Sequence, residues 1–513
     1  MPQCSFRYQE VALIRKKKVL NLCMQLQLIA LRTAGLTKGQ TGSFIFYYSL
    51  FSLPLRFAAT ASVFEPIYSS NTYTHTTNDT EIMSTTPFHT DSLETLSLHA
   101  GFNPTDDPYG SVNIPLYQNT AFAFPDSKYA ADIFALKIGG NIYTRLNNPT
   151  TGILENRLAA IEGGIASVVT SCGQSAISTA LLSLLASGDH IVASESLYGG
   201  TFNLLSHTLP RFGITTTFVN ANDPEAVRRA IRPETKLVFT EVVGNPKLDF
   251  VDLPRLAAVA HEAGLPLFAD NTCTFGLYRP LSEGADVEII SLTKLAAGDG
   301  TTLGGAIIDG GAYDWGSGLF PRLTEEDPSY HGVKFAETFG PAAYIYWLVT
   351  VGLRDFGACI SPFNSLQILK GLETLKLRSE QSSRTALALA EWLAQHPLVK
   401  WARYPGLSGH ESKSLADEKL PRGAGVIVTF APKGGYEAAK IVDESTKIFK
   451  LVANFGDSKS LIVHPASTTH SQLSREDLEN AGVSDDLIRL SIGLEDVEDL
   501  KSDLDQALKL AHQ

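Results

Sequence analysis

Between about residue 165 and residue 310, short runs rich in β-branched and aromatic residues alternate with longer segments whose apolar positions recur at helical spacing. The runs ASVVTS, HIVAS, TTTFVNA, KLVFTEVV, LPLFADNT, VEIISLT and GGAIID read as strands, and QSAISTALLSLLAS, DPEAVRRAI and DLPRLAAVAHEAG read as helices. The last two helices open on an Asp suited to an N-cap, and the last closes on a Gly suited to a C-cap. Such alternation predicts an α/β fold with a mostly parallel sheet and helices on both faces. In such sheets a ligand sits beyond the carboxyl ends of the strands. After about residue 350 the pattern changes to long amphipathic helices, as in SPFNSLQILKGLETLKLRSEQSSRTALALAEWLAQH. The strand-like runs AGVIVTFAP and LIRLSIG and a terminal helix follow, which predicts a smaller α+β C-terminal domain. The expected division is an arm over 83–150, a large domain over 151–350 and a small domain over 351–513.

A net charge of -12 argues against a nucleic-acid partner, because binding a polyanion needs clustered Lys and Arg. Residues 1–82 depart from the rest, with eight Lys or Arg against four Asp or Glu. They hold RKKK, the apolar run SFIFYYSLFSLPL and a Ser/Thr/Asn-rich tract. That run falls short of the roughly 20 apolar residues needed to span a bilayer, so no membrane partner is expected. The segment reads as an extension outside the mature fold, with Met83 a natural start, and a cytoplasmic location is favoured over organelle import. Cys4, Cys23, Cys172, Cys273 and Cys359 show no CxxC spacing. Neither a disulfide framework nor a metal site is expected.

The chemistry gathers at strand ends. LPLFADN closes on Asp270, and the neighbouring run VEIIS leads into Ser291, Thr293 and Lys294. Two adjacent strands thus deliver a carboxylate and an amine to one edge of the sheet. A structural ion pair is the plain reading. The functional one is a lysine that forms a Schiff base with pyridoxal 5'-phosphate while the carboxylate keeps the ring nitrogen protonated, the pair this cofactor requires. Its phosphate would find backbone N–H groups at Gly173 and Gln174, where a strand meets a helix start, and hydroxyls at Ser291 and Thr293. The order of SLTKLAAGDGTTLGG excludes a Walker A loop, since Lys294 precedes the glycines. Tyr198 offers an aromatic cover for a ring. Arg489 lies inside the apolar run DLIRLSIGLE, where an unpaired cation is costly, so a carboxylate partner is expected. Cys172 reads as a small packed residue, and His464 and His470 as structural.

In order along the chain, GNIYTRLNNPT, SCGQSA, LYGGT, GNP, ADNT, SLTK, GTTLGG, HPASTTH and IRLSIGLE resemble the Cys/Met-metabolism family of fold type I pyridoxal-phosphate transferases, closest to its O-acetylhomoserine sulfhydrylase branch. The resemblance covers about 92 to 513. It implies that Lys294 carries the cofactor, that Asp270 meets the pyridine nitrogen and that Tyr198 lies on the ring face. Gly173, Gln174, Ser291 and Thr293 would bind the phosphate, and Tyr143 and Arg145 of the arm would reach the cofactor of a neighbouring subunit. Arg489, with Asn454 and Ser467, would hold the substrate carboxylate. The implied assembly is a homodimer or homotetramer with shared active sites.

The same resemblance implies γ-replacement on O-acetyl-L-homoserine with sulfide, giving homocysteine and acetate, with Lys294, Tyr143 and Tyr198 as the catalytic set. The partners would then be an amino-acid substrate and a small nucleophile. Three segments depart from the branch pattern: DNTCTFGLYRP with Cys273, TKLAAGDGTT with Leu295 and Asp299, and RSEQSS with Gln381 and Ser382. They keep two alternatives open, a specialised enzyme that adds a carbon or nitrogen nucleophile to the same four-carbon skeleton, and a γ-lyase.

Overall fold

The computed structural model describes residues 90–468 and 482–513. The extension 1–82, the start at Met83 and His470 therefore lie outside the described residues.

Each predicted run of the large domain forms a strand: β1 Ala166–Thr170, β2 His190–Ser194, β3 Thr215–Val219, β4 Thr235–Glu241, β5 Leu267–Asp270, β6 Val287–Ile290 and β7 Gly305–Asp309. They make a seven-stranded sheet in the order β1-β7-β6-β5-β4-β2-β3. All neighbours from β3 to β6 run parallel, and β7 runs antiparallel to both β6 and β1. The strands are apolar on both faces because helices cover both sides, as the near-continuous burial of β2, β4 and β6 shows.

The helix ends follow from local chemistry. Asp223 caps Pro224–Ala230 by accepting from the N–H groups of Glu225 and Ala226. Asp252 caps Leu253–Glu262 through the N–H of Arg255. Cys172 caps Gly173–Leu184: its Sγ accepts from the Ser175 N–H at 3.4 Å, and the Ser175 hydroxyl accepts from the Cys172 N–H at 3.0 Å. A residue read as packing is thus a helix cap.

The C-terminal region is built on a second sheet, order β10-β11-β12-β9-β8, with β8 Val399–Arg403, β9 Ile427–Pro432, β10 Lys450–Leu451, β11 Leu461–Val463 and β12 Ile488–Ser491. β9 and β12 match the predicted runs. The long amphipathic stretch is two helices, Pro362–Leu372 and Leu375–Gln395, parted at Glu373 and Thr374. No helix among the described residues is long and apolar enough to cross a membrane.

Candidate active site

Asp270 is the last residue of β5, in register with Glu241 at the end of β4 and Ile289 of β6. Lys294 follows β6 in a tight turn, in which its N–H donates to the Ser291 carbonyl at 3.1 Å and its carbonyl accepts from Gly298 at 2.8 Å. Gly298 takes φ +72°, a conformation open to glycine, and a Cβ there would land on the Arg378 guanidinium. Arg378 in turn donates to the carbonyls of Leu295 at 2.9 Å and Ala296 at 3.3 Å. Leu295 is a core residue. The exposed Asp299 accepts from the N–H and hydroxyl of Thr301, so it folds the turn.

A cavity of about 720 Å³ opens at this edge of the sheet. Gly173, Gln174, Tyr198, Asp270, Ser291, Thr293, Lys294, Asn454 and Arg489 all line it, which unites nine of the twelve residues singled out in the sequence. Tyr143, Arg145 and Ser467 do not. Arg145 donates to the Arg354 carbonyl and lies 5.6 Å from the centroid of the Tyr143 ring, which is exposed. Ser467 meets His464 Nδ1 at 2.9 Å. The buried His464 also bonds the Asp485 carbonyl through Nε2 at 2.8 Å.

Four residues that sequence reasoning passed over also line the cavity. Glu241 accepts the Tyr198 N–H at 2.6 Å. Thr272 donates to Asp270 Oδ1 twice, from its N–H at 2.9 Å and its hydroxyl at 2.6 Å. Asn245, within the quoted GNP motif, receives a hydrogen bond from Arg489 Nη1 at 3.2 Å. Phe455 places its ring beneath both Lys294 and Arg489. Asn245 and Thr272 fall within the quoted motifs GNP and ADNT, and Glu241 closes the apolar run KLVFTE. Phe455 occupies an unremarkable position beside the residues it serves.

The electrostatics of the cavity follow from burial. Desolvation first and the Arg489 charge second lower the Lys294 amine to about 8, and the amine donates to Asn454 Oδ1. Burial raises Asp270 to about 6 against the opposing pull of its Thr272 hydrogen bonds. It also pushes the Cys273 thiol, on the cavity wall, well above its ordinary value. Arg489, 3% exposed, is lowered to about 10 for the same reason. It donates to Asn245 and to the Asn454 carbonyl at 3.0 Å, and its Nε has no partner among the described residues. No carboxylate lies within ion-pair distance of it among those residues. The carboxylate partner expected from the sequence is thus not supplied by any described residue.

The residues present fit pyridoxal phosphate. Gly173 leaves the backbone bare where a Cβ would stand 2.5 Å from the Ser291 Cβ, so the helix start and the strand end can close around a phosphate. The Tyr198 ring is 45% exposed at the cavity, an apolar face awaiting a stacking partner. The ordered elements and the carboxylate, amine and aromatic face at their ends define a fold type I pyridoxal-phosphate enzyme.

The chain belongs to the Cys/Met metabolism PLP-dependent enzyme family, whose model matches residues 94–509. It is 49% identical over 426 residues to O-acetyl-L-homoserine sulfhydrylase of Leptospira meyeri, covering 81% of this chain and 96% of that protein. It is 45% identical over 429 residues to homocysteine synthase of Schizosaccharomyces pombe, covering 83% of this chain and 100% of that one. Among solved structures, a putative O-acetylhomoserine (thiol)-lyase from Campylobacter jejuni, which carries N'-pyridoxyl-lysine-5'-monophosphate, superposes with a TM-score of 0.79 at 39% identity. That likeness covers 82% of this chain and 100% of that one.

Proposed function

We propose that the chain is an O-acetyl-L-homoserine sulfhydrylase: it replaces the acetate on Cγ of O-acetyl-L-homoserine with sulfide and releases homocysteine and acetate. The observation that carries the reading is one cavity joining Lys294, Asp270 and the buried Arg489, whose Nε has no partner among the described residues, in a chain so similar to enzymes of that name over nearly their whole length. Bound pyridoxal phosphate supplies an electron sink for the substrate carbons. Lys294 Nζ would hold the cofactor and would move the α-carbon and β-carbon protons of the substrate; an amine lowered to about 8 is suited to that work. Asp270 keeps the proton on the ring nitrogen. Gly173, Gln174, Ser291 and Thr293 hold the phosphate, and Tyr198 covers the ring. Arg489 binds the substrate carboxylate with Asn454, whereas Ser467, expected beside them, bonds His464 and does not line the cavity.

Tyr143 and Arg145 do not line the cavity of their own chain and would complete the site of a second copy, so we read the active form as a homodimer or homotetramer working in the cytoplasm. Light scattering should show no active monomer. Purified protein supplied with O-acetylhomoserine and sulfide should form homocysteine and acetate in equal amounts. Acetate release without homocysteine, or transfer only to a carbon or nitrogen nucleophile, would overturn the reading.

A further inference from the structure

We infer that Glu241 is a positioning residue of this same site: as a neutral carboxyl it ties the Tyr198 main chain to the end of β4, and it leaves the single negative charge of the Glu241 and Asp270 pair on Asp270. The inference rests on the reading above, in which Asp270 meets the ring nitrogen and Tyr198 covers the ring.

Glu241 closes β4 and Asp270 closes β5, directly in register on parallel neighbours, so their side chains leave the sheet on the same face at adjacent positions. Glu241 is 5% exposed, lines the cavity and accepts the Tyr198 N–H at 2.6 Å. Asp249 and Cys273 also bear on it, and Lys294 and Arg489 stand on the walls of the same cavity. Two ionised carboxyls side by side and away from water repel each other, and one proton on the pair removes that cost. Glu241 also takes backbone bonds from Tyr198 and Asn245, which favour its ionised form, but the Asp249 charge bears on Glu241 as well and tips the proton onto it. Asp270 Oδ1 receives two short bonds from Thr272, and these favour its ionised form. Burial raises both groups, Asp270 to about 6 and Glu241 well above its ordinary value with the Asp270 charge adding to the push.

A neutral Glu241 keeps a carbonyl oxygen for the Tyr198 N–H. Glutamine offers the same acceptor without a charge, and methionine offers the same length without the acceptor. The test compares holoenzyme carrying E241Q, E241M and D270N, with thermal melting as the check on folding. E241Q should keep the cofactor absorbance and circular dichroism, with kcat within about threefold of wild type. E241M should lose about tenfold in kcat through the missing hydrogen bond, with altered cofactor dichroism and little change in KM. Damage by E241Q equal to that by E241M would show that a charge is needed and would overturn the inference, as would an E241M enzyme indistinguishable from wild type.

Hydrogen exchange at the Tyr198 amide separates this inference from the reading on which it rests. The amide should be protected in wild type and E241Q and exchange about tenfold faster in E241M, whatever the cofactor does. Equal exchange in all three overturns the tie to Tyr198. A D270N enzyme with unchanged cofactor spectrum and kcat would instead overturn the assigned role of Asp270, and with it the charge placement proposed here.

Discussion

Lys294 and Arg489 stand over the same aromatic ring, with Lys294 Nζ 5.0 Å and Arg489 Cζ 5.9 Å from the Phe455 centroid. The two cations share one partly desolvated cavity, and the Arg489 charge helps to hold the lysine near 8. Replacing Arg489 with Met should therefore raise the Lys294 amine toward its ordinary value. In cofactor-free protein, the pH midpoint for acylation of Lys294, read by mass spectrometry, should move upward. An unmoved midpoint would show that burial acts without the neighbouring charge. In holoenzyme the same variant should raise KM for O-acetylhomoserine by about 100-fold, the loss expected for an uncompensated buried carboxylate contact.

The same lysine predicts a pH-dependent stability. Its folded value, about 8, lies below the ordinary lysine value of 10.5, so between those limits the unfolded chain binds the extra proton. The charged lysine costs folding free energy below about 8, and the cost fades as pH rises toward 10.5. Cofactor-free K294M should accordingly melt higher than cofactor-free wild type at pH 7, with the gap closing through that window. A gap that is constant from pH 7 to pH 10.5 would contradict this. The same variant should have no sulfhydrylase activity.

Thr272 links the ring-nitrogen carboxylate to the lysine turn, since its hydroxyl donates to Asp270 and accepts from the Ser291 N–H at 2.8 Å. T272V keeps the shape and removes both bonds. Losing a donor to the carboxylate should raise Asp270 further above about 6, and the acidic limb of the kcat profile should move up by about one pH unit. The stranded Ser291 N–H should cost about 1–3 kcal/mol in denaturant unfolding. An acidic limb that stays in place would separate it from Asp270.

Gly173 tests the phosphate cradle. An alanine Cβ would stand 2.5 Å from the Ser291 Cβ and 3.0 Å from its Cα, so G173A must push the helix start away from the strand end. The expected cost is about 1–3 kcal/mol, shared between folding and cofactor binding. Equilibrium dialysis should show a weaker hold on pyridoxal phosphate by about tenfold. An unchanged dissociation constant would place the phosphate elsewhere.

The strands of the large domain were legible because each is a compact β-branched run between helical segments, and the residues at their ends could be placed by topology alone. Three strands of the second sheet escaped notice. β10 and β11 are very short, and β8, VKWAR, mixes charge with apolar residues on a partly covered edge. At the site, Asp270, Lys294 and Arg489 stood out because a charged residue at the end of an apolar run, or within one, demands a reason. Glu241 carries the same signal at the end of KLVFTE, yet its meaning depends on pairing with β5, which only the sheet order supplies. Leu295 and Asp299 lie in a segment that departs from the branch pattern and so left the nucleophile open. Leu295 packs in the core, and Asp299 folds a solvent-facing turn.

The reversal of β7 has a consequence for anyone who would graft new chemistry onto this scaffold. Because β7 runs back alongside β6, the turn that bears Lys294 leaves and re-enters the sheet at one edge, with both of its ends clamped to adjacent hydrogen-bonded strands. It behaves as a short bridge between fixed piers. Residues inserted there would have no hinge through which to dissipate the change, whereas Arg489 is mounted separately, on the second sheet.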